Sequence, residues 1–274
     1  MCKECGCGEG SRVQIDGSCD HTSGHAHDDA AHSHKRGHEH DHGHEYTHAK
    51  NPGLPLLDAN DRQAERNRGW FEAKGIRVLN VLSSPGSGKT TLLAETLRRL
   101  KGRCRAAVIV GDLATDNDAR RLRETGVPVI QITTGTMCHL DAAMIAEAVR
   151  TFDADALDLL IIENVGNLVC PADYDLGENA RAVLLATTEG EDKPLKYPPA
   201  FHAADLAVIT KTDLAEPAGF HRDEALANLR RIAHHARICE VSATTGEGMD
   251  AWCAELVRTL GISLAVEKDM SPHA

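Results

Sequence analysis

Short aliphatic and β-branched runs alternate with amphipathic stretches along this chain from residue 76 to residue 260. The runs Ile76 to Leu82, Ala106 to Val110, Pro128 to Ile132, Leu157 to Ile162, Ala182 to Thr187, Leu206 to Thr210 and Arg237 to Val241 predict strands. Helices are predicted between most of them, at Thr91 to Leu100 and near Asp116 to Glu124, Leu140 to Arg150, Arg222 to His235 and Met249 to Leu260. A polar-faced helix, Ala59 to Lys74, precedes the first strand and stops at Gly75. Apolar strands alternating with amphipathic helices imply an α/β fold, a mostly parallel sheet flanked by helices on both faces. Ligands in such sheets sit at the C-terminal ends of the strands, so the loops there carry the candidate chemistry.

The alternation fails before Asn51-Pro52-Gly53. In that arm His21, His25, His27, His32, His34, His38, His40, His42, His44 and His48 are interspersed with Gly, Asp, Glu and Ala, with almost nothing apolar to bury. Such a segment cannot offset its ordering entropy and is expected to be disordered without metal. The expected organisation is therefore a Cys and His arm at 1–50, a linker and helix at 51–75, a nucleotide domain at 76–262 and a tail at 263–274.

Composition narrows the function classes. The 274 residues, 42% hydrophobic and 26% charged, suffice for one substantial core plus an appendage. Aromatics at 3% and a formal charge of −11 oppose base stacking and phosphate-backbone binding, which excludes nucleic acid as the main partner. No apolar run approaches the roughly 20 residues that span a bilayer, and the N-terminus lacks the apolar segment of a signal peptide. A cytoplasmic protein without membrane contact is expected. Its nine cysteines are then read as thiols or thiolates, for ligation or packing before disulfides.

The loop after the first strand, Ser83-Ser84-Pro85-Gly86-Ser87-Gly88-Lys89-Thr90-Thr91, has the character of a P-loop NTPase. Gly86 and Gly88 let the backbone curl so that successive amides face the β- and γ-phosphates, Lys89 adds a positive charge, and Thr90 offers a hydroxyl to Mg2+. The general pattern has Gly where this chain has Ser83. The next strand ends at Gly111-Asp112, with Thr115, Asp116 and Asp118 beyond it, so a carboxylate can approach Mg2+ or position water. Another ends at Glu163-Asn164-Val165-Gly166, placing Glu163 at the metal edge and the Gly166 amide where a γ-phosphate would be sensed. Helix capping is the plain alternative for these acids. In Thr210-Lys211-Thr212-Asp213, the Asp213 carboxylate can accept two hydrogen bonds from guanine while the Lys211 stem covers the ring, which favours GTP. Ser242-Ala243 follows the last strand and can present backbone to the guanine carbonyl.

The second chemistry is metal capture. Cys2, Cys5 and Cys7 form Cys-x-x-Cys-x-Cys, three thiolates close enough to converge on one ion, Ni2+ or Zn2+, though a reactive thiol pair would have similar spacing. The ten histidines of the arm suit a store for Ni2+ or Zn2+. Cys138-His139 opens a predicted helix and Cys170 follows the Glu163 loop, so three soft donors share the sheet edge of the phosphates. Adjacent Cys138 and His139 do not easily encircle an ion, and a second subunit would complete the shell. Cys19, Cys104, Cys239 and Cys253 have no such company, and the last three are read as packing residues.

The stretch Leu79 to Leu93, with Glu163-Asn164-Val165-Gly166-Asn167-Leu168-Val169-Cys170-Pro171, resembles the HypB family, GTPases that help insert nickel into nickel-iron hydrogenase. The similarity runs from about Leu54 to near the end of the chain, and Cys2, Cys5 and Cys7 match a motif of some members. The resemblance implies that Ser83 is a normal variant of the loop and that Lys211 and Asp213 serve guanine recognition. It further implies high-affinity nickel at Cys2, Cys5 and Cys7, a weaker Zn2+ or Ni2+ site at Cys138, His139 and Cys170, and GTP-promoted homodimerisation. HypA and the hydrogenase large-subunit precursor are its implied partners, and storage the implied role of the histidine arm. A urease-type nickel GTPase would carry a Cys-Pro-His motif, which is not what stands at Cys138-His139. A metal-storage protein with a passive nucleotide domain would not need Lys89, Thr90 and Asp213.

Overall fold

Every aliphatic run becomes a strand in the computed structural model, which describes residues 14–15, 54–113 and 115–264. In chain order the elements are β1 (Gln14–Ile15), α1 (Leu54–Lys74), β2 (Arg77–Leu82), α2 (Lys89–Leu100), β3 (Ala106–Asp112), α3 (Asn117–Arg123), β4 (Val129–Thr133), α4 (Ala142–Val149), β5 (Leu159–Glu163) and β6 (Ala180–Ala186). There follow α5 (Lys193–Lys196), α6 (Pro198–His202), β7 (Leu206–Thr210), α7 (Arg222–Ile232), β8 (Arg237–Val241) and α8 (Met249–Leu260). The sheet order is β1-β4-β3-β5-β2-β6-β7-β8. Strands β2 to β8 are parallel, and β1 joins antiparallel at the β4 edge, Gln14 opposite Thr133 and Ile15 opposite Ile132.

This order determines where a ligand can sit. From β2 the chain crosses over β5 to β3, and from β5 it crosses over β2 to β6, so successive connections leave the centre in opposite directions. The crevice beyond the C-terminal ends of β2 and β5 is the switch point at which open α/β sheets bind ligands. The loop after β2 and the last residue of β5, Glu163, both lie there.

Strand alternation sorts the core onto the two faces. Leu79, Val81, Val108 and Val110 pack with α2 and α8, including Leu93, Leu97, Trp252 and Leu256. Val78, Ile109, Leu160 and Ile162 face Phe71 of α1 and Ile145 of α4. On the β6 and β7 side, Val183, Leu185 and Ile209 are covered by Phe201 and Leu229. Trp252 Nε1 donates to Thr96 Oγ1 at 2.9 Å, which satisfies the polar end of a fully buried ring and ties α8 to α2.

Some boundaries differ from expectation for identifiable reasons. Strand β3 continues through Gly111 and Asp112 because both keep ladder partners in β4, Ile132 and Thr133. Cys138 and His139 do not open α4. They stand in the loop before it, and Asp141 is the N-cap, its carboxylate accepting from the Met144 amide at 2.8 Å. Helix α1 begins at Leu54, and its polar face serves the packing, because Asn60 and Asn67 are buried and grip the backbone of other loops. Asn60 accepts from the Ala142 amide at 2.9 Å and donates to Asp175 O at 2.8 Å, while Asn67 donates to Ala142 O and Leu176 O. These bonds hold the start of α4 and the 175–177 turn, the flanks of the Cys and His cluster.

Candidate functional site

The loop after β2 bounds a cavity of about 480 Å³ closed by Asp112, Asp118, Arg121, Glu163 and Gly166. Gly86 (φ 75°) and Gly88 (φ 94°) occupy the left-handed region, the conformation that turns successive amides inward. Ser83 does not, so glycine is not required there. Its buried hydroxyl accepts from Lys89 Nζ at 3.0 Å and pairs with Ser87 Oγ, which aims the lysine along the loop. Burial pulls the Lys89 ammonium below its ordinary value, with Glu163 as the chief opposing charge.

Glu163 is the most perturbed carboxyl. It is 1% exposed, and burial raises its pKa from 4.5 to about 7 despite Lys89 and a 2.8 Å hydrogen bond from Thr90 Oγ1. Its Oε2 is buried without a hydrogen-bond partner. A buried acceptor left open beside a P-loop threonine fits a hydrated cation or an attacking water. Thr90 and Asp112 are the other oxygen donors at this edge, and Asp112 Oδ2 accepts from Thr115 Oγ1 at 3.1 Å. Thr91 Oγ1 accepts from Arg121 at 2.9 Å, which brings α3 onto the loop.

The base motif lies on the next loops of the same edge. Lys211 has φ 59°, and among the described residues it is the one non-glycine at positive φ, a strain of the kind held at ligand sites. Thr187 Oγ1 donates to its carbonyl at 2.7 Å, and a Cβ built on Gly88 would lie 3.8 Å from Lys211 Cε, so the lysine stem runs beside the phosphate loop. Thr210, where a GTPase usually has Asn, donates from Oγ1 to Ser87 O at 2.7 Å and joins the base loop to the phosphate loop. A second, smaller hollow is lined by Lys211, Asp213, Ala243 and Thr244. The Ser242 amide is committed to Glu247 O at 3.0 Å, so of Ser242 and Ala243 the latter is the amide available to a base carbonyl.

Cys138, His139 and Cys170 meet within one chain, their ligand atoms all within 4.8 Å of one another. The three-residue set thus converges without a partner subunit, although further ligands are needed for a full shell. His139 is 8% exposed, stacks on Tyr174 at 3.9 Å, and has a buried Nδ1 without a hydrogen-bond partner. Burial lowers its pKa, which keeps the imidazole neutral and able to bind metal. Two thiols and a neutral imidazole with an open nitrogen fit a borderline-soft divalent ion, Ni2+ or Zn2+. Cys104, Cys239 and Cys253 pack against or within the apolar core, and burial raises each thiol to about 11.

The two centres are joined through the loop after β5. Asn167 makes an antiparallel bridge to Ser83 and donates from Nδ2 to Cys138 O at 3.4 Å. Gly166 backs onto Pro85, where an added Cβ would lie 3.2 Å from Pro85 Cα. Asn164 accepts from the Leu140 amide at 3.4 Å and donates to Asn80 Oδ1 in the middle of β2 at 3.3 Å. Sequence reasoning did not single out Arg121, Asn167 or the buried Asn80. An Asn inside the aliphatic run Val78-Leu79-Asn80-Val81-Leu82 was the available signal for the last. Cys2, Cys5, Cys7, Cys19 and the ten arm histidines lie outside the described residues.

Residues 77–240 match the family model described as the CobW/HypB/UreG nucleotide-binding domain. The hydrogenase maturation factor HypB of Escherichia coli K12 is 54% identical over 199 residues, covering 73% of this chain and 69% of that protein. Among solved structures, HypB from Helicobacter pylori in complex with nickel is 40% identical with a TM-score of 0.70, over 74% of this chain and 95% of that one. The hydrogenase maturation factor HypB from Archaeoglobus fulgidus gives the same identity and TM-score over 74% and 99%. Among the described residues no helix is long and apolar enough to cross a membrane.

Proposed function

Because this chain belongs to the HypB family of hydrogenase maturation factors, we propose that it hydrolyses GTP and uses the nucleotide state to control nickel held at Cys138, His139 and Cys170. The observation that carries this reading is Asn167, which touches the phosphate loop at Ser83 and the metal loop at Cys138 O.

In the proposed cycle the amides of residues 86–90 and Lys89 hold the β- and γ-phosphates, and Asp213 with the Ala243 amide selects guanine. Thr90 and Asp112 would hold Mg2+, which supplies charge neutralisation on the phosphates. Glu163 lies beside that position, and a nearby cation would favour its ionised form against the burial that now opposes it. The Gly166 amide meets the γ-phosphate, drawing the 164–170 loop with it. Asn167 then shifts relative to Cys138, Cys170 moves with its own loop, and the metal set changes geometry. GTP also promotes pairing of two chains, and hydrolysis relaxes both effects. Nickel is the cargo, delivered for hydrogenase maturation in the cytoplasm with HypA and the large-subunit precursor as partners. Cys2, Cys5, Cys7 and the histidine arm serve capture and storage, and the inner set takes Zn2+ as an alternative ion.

Nucleotide state can shift metal affinity only as far as the two states bind the metal differently. The test is nickel affinity of the full chain, and of a Cys138→Ser variant whose inner set has lost a thiolate, with a GTP analogue and with GDP. A difference that disappears in Cys138→Ser is expected, and equal affinities in the two nucleotide states of the unaltered chain would overturn the coupling.

A further inference from the structure

Three histidines that play no part in the nucleotide edge converge at the opposite end of the sheet. His202 is the last residue of α6, which leads into β7, and His234 and His235 follow α7 and lead into β8. They therefore stand at the N-terminal ends of parallel strands, away from the phosphate and base loops. Their ring centres are separated by 5.2 Å (His234 to His235), 5.8 Å (His202 to His235) and 6.4 Å (His202 to His234), and no pair is stacked face to face. All three side chains are exposed.

We propose that His202, His234 and His235 form a separate site for a borderline-soft divalent ion of the Zn2+, Ni2+ or Cu2+ class. An imidazole bound through nitrogen at about 2.1 Å has its ring centre roughly 3.2 Å from the ion, so tetrahedrally disposed rings have centres about 5 Å apart. The His234 to His235 spacing already meets this value. The two longer spacings close by rotation of the exposed His234 and His235 side chains toward His202, which keeps its place. His202 is also prepared for ligation: its Nδ1 lies 3.3 Å from Ile232 O. A ring that donates Nδ1–H to a backbone carbonyl presents the Nε2 lone pair outward, the arrangement that usually orients a metal-bound histidine.

The chemistry also excludes some ions. The last turn of α7 carries Arg230 and Arg231, which oppose any cation held by charge alone. Coordination by neutral imidazoles must supply the affinity, so Mg2+ and Ca2+, which want oxygen donors, are refused. Three imidazoles leave a coordination position open to water or to a ligand from another molecule, the form of a site that accepts and releases an ion. Loading there is independent of the thiols at the nucleotide edge.

The test is peptide-resolved modification of histidine by diethyl pyrocarbonate on the full chain during a Zn2+ titration, with Mg2+ as the contrasting ion and exposed His221 as the internal reference. His202, His234 and His235 are expected to become protected together at one Zn2+ concentration, while Mg2+ protects none and His221 stays reactive. In His202→Ala the Zn2+ concentration that protects His234 and His235 should rise about a hundredfold, the gain that a tethered additional ligand confers. His235→Ala should expose His202 and His234 in the same way. An unchanged melting temperature establishes that each variant is folded. Protection of His234 and His235 at the same Zn2+ concentration in His202→Ala, or His202 remaining reactive when the other two are protected, would overturn the three-histidine site.

Discussion

Replacing Glu163 with Gln should make the nucleotide-free protein more stable, by an amount that grows as pH rises from about 4.5 to about 7 and is constant above that. Glu163 is 1% exposed, and burial raises its pKa from 4.5 to about 7 against the attraction of Lys89 and the hydrogen bond from Thr90. The folded value lies above the unfolded one, so the carboxyl contributes its full stability below pH 4.5 and that contribution is lost as pH rises through 7. With each pH unit worth about 1.4 kcal/mol, ionising Glu163 in the empty site costs about 3 kcal/mol. A glutamine side chain at this position carries no such penalty and keeps an oxygen to accept from Thr90. Melting the unaltered chain and Glu163→Gln without nucleotide from pH 5 to pH 8.5 gives the comparison. The variant should gain on the unaltered chain by about 3 kcal/mol across that range, about 6–12 °C in a domain of this size. GTP with Mg2+ should move the step to lower pH, because a cation near the carboxylate favours its charged form. A stability difference that stays flat from pH 5 to pH 8.5 would refute the assignment of Glu163 as a buried, neutral acid awaiting a cation.

Other parts of the site make separate claims. Lys89→Ala should abolish GTP turnover while leaving nickel capture at Cys2, Cys5 and Cys7 unchanged, as judged by phosphate release and a nickel titration. Asp213→Asn should weaken GTP and favour xanthosine triphosphate, and a GTP affinity unchanged in competition binding would remove Asp213 from the base pocket. Gly166→Ala puts a methyl 3.2 Å from Pro85 Cα, so denaturant melts should show a loss of about 1–3 kcal/mol, and discrimination between GTP analogue and GDP should shrink. Asn167→Ala should leave nucleotide and nickel affinities measured singly near their original values but reduce the effect of one on the other.

How far the sequence revealed this structure depends on what kind of signal each part leaves. The strands were legible because β2 to β7 are buried in nearly continuous aliphatic runs. The phosphate loop was legible because curling a backbone around phosphates leaves a local pattern, Gly86 to Thr90. Convergence of Cys138, His139 and Cys170 followed from the rule that parallel strands gather their loops at one edge, and it predicted proximity without the 4.8 Å spacing. Asn167 and Arg121 left no such trace, since their partners lie 29 and 30 positions away in the chain. Helix α1 illustrates the same limit. Its asparagines look like surface polarity in one dimension, and only the packing of α1 beside α4 turns Asn60 and Asn67 into clamps on the metal loop. His202 with His234 and His235 was invisible for the reason that α6 and α7 become neighbours only in the folded sheet.

The link through Asn167 also bounds how nucleotide can act on metal. Its bond to Cys138 O is a neutral hydrogen bond of 3.4 Å, and such a bond contributes about 0.5–1.5 kcal/mol. Making or breaking it alone changes nickel affinity by at most about tenfold, since a factor of ten requires about 1.4 kcal/mol. A larger nucleotide effect needs a displacement of Cys170 itself. Cys170 sits four positions after Gly166, in a turn where the amides of Asn167, Ala172 and Asp173 bond to carbonyls within residues 165–170, and which Arg181 holds at its far end through Ala172 O at 3.0 Å. In the proposed cycle that local bonding would let residues 166–170 move together when Gly166 is pulled toward a phosphate. Cys138 and His139 stay behind, held by Asn60 and Asn67 through Ala142. One thiolate is therefore carried by the nucleotide loop while the other two ligands are anchored to α1 and α4. In the proposed cycle the metal set is thus divided between a moving part and a fixed part, and that division would give GTP a means of changing nickel affinity by more than one hydrogen bond allows.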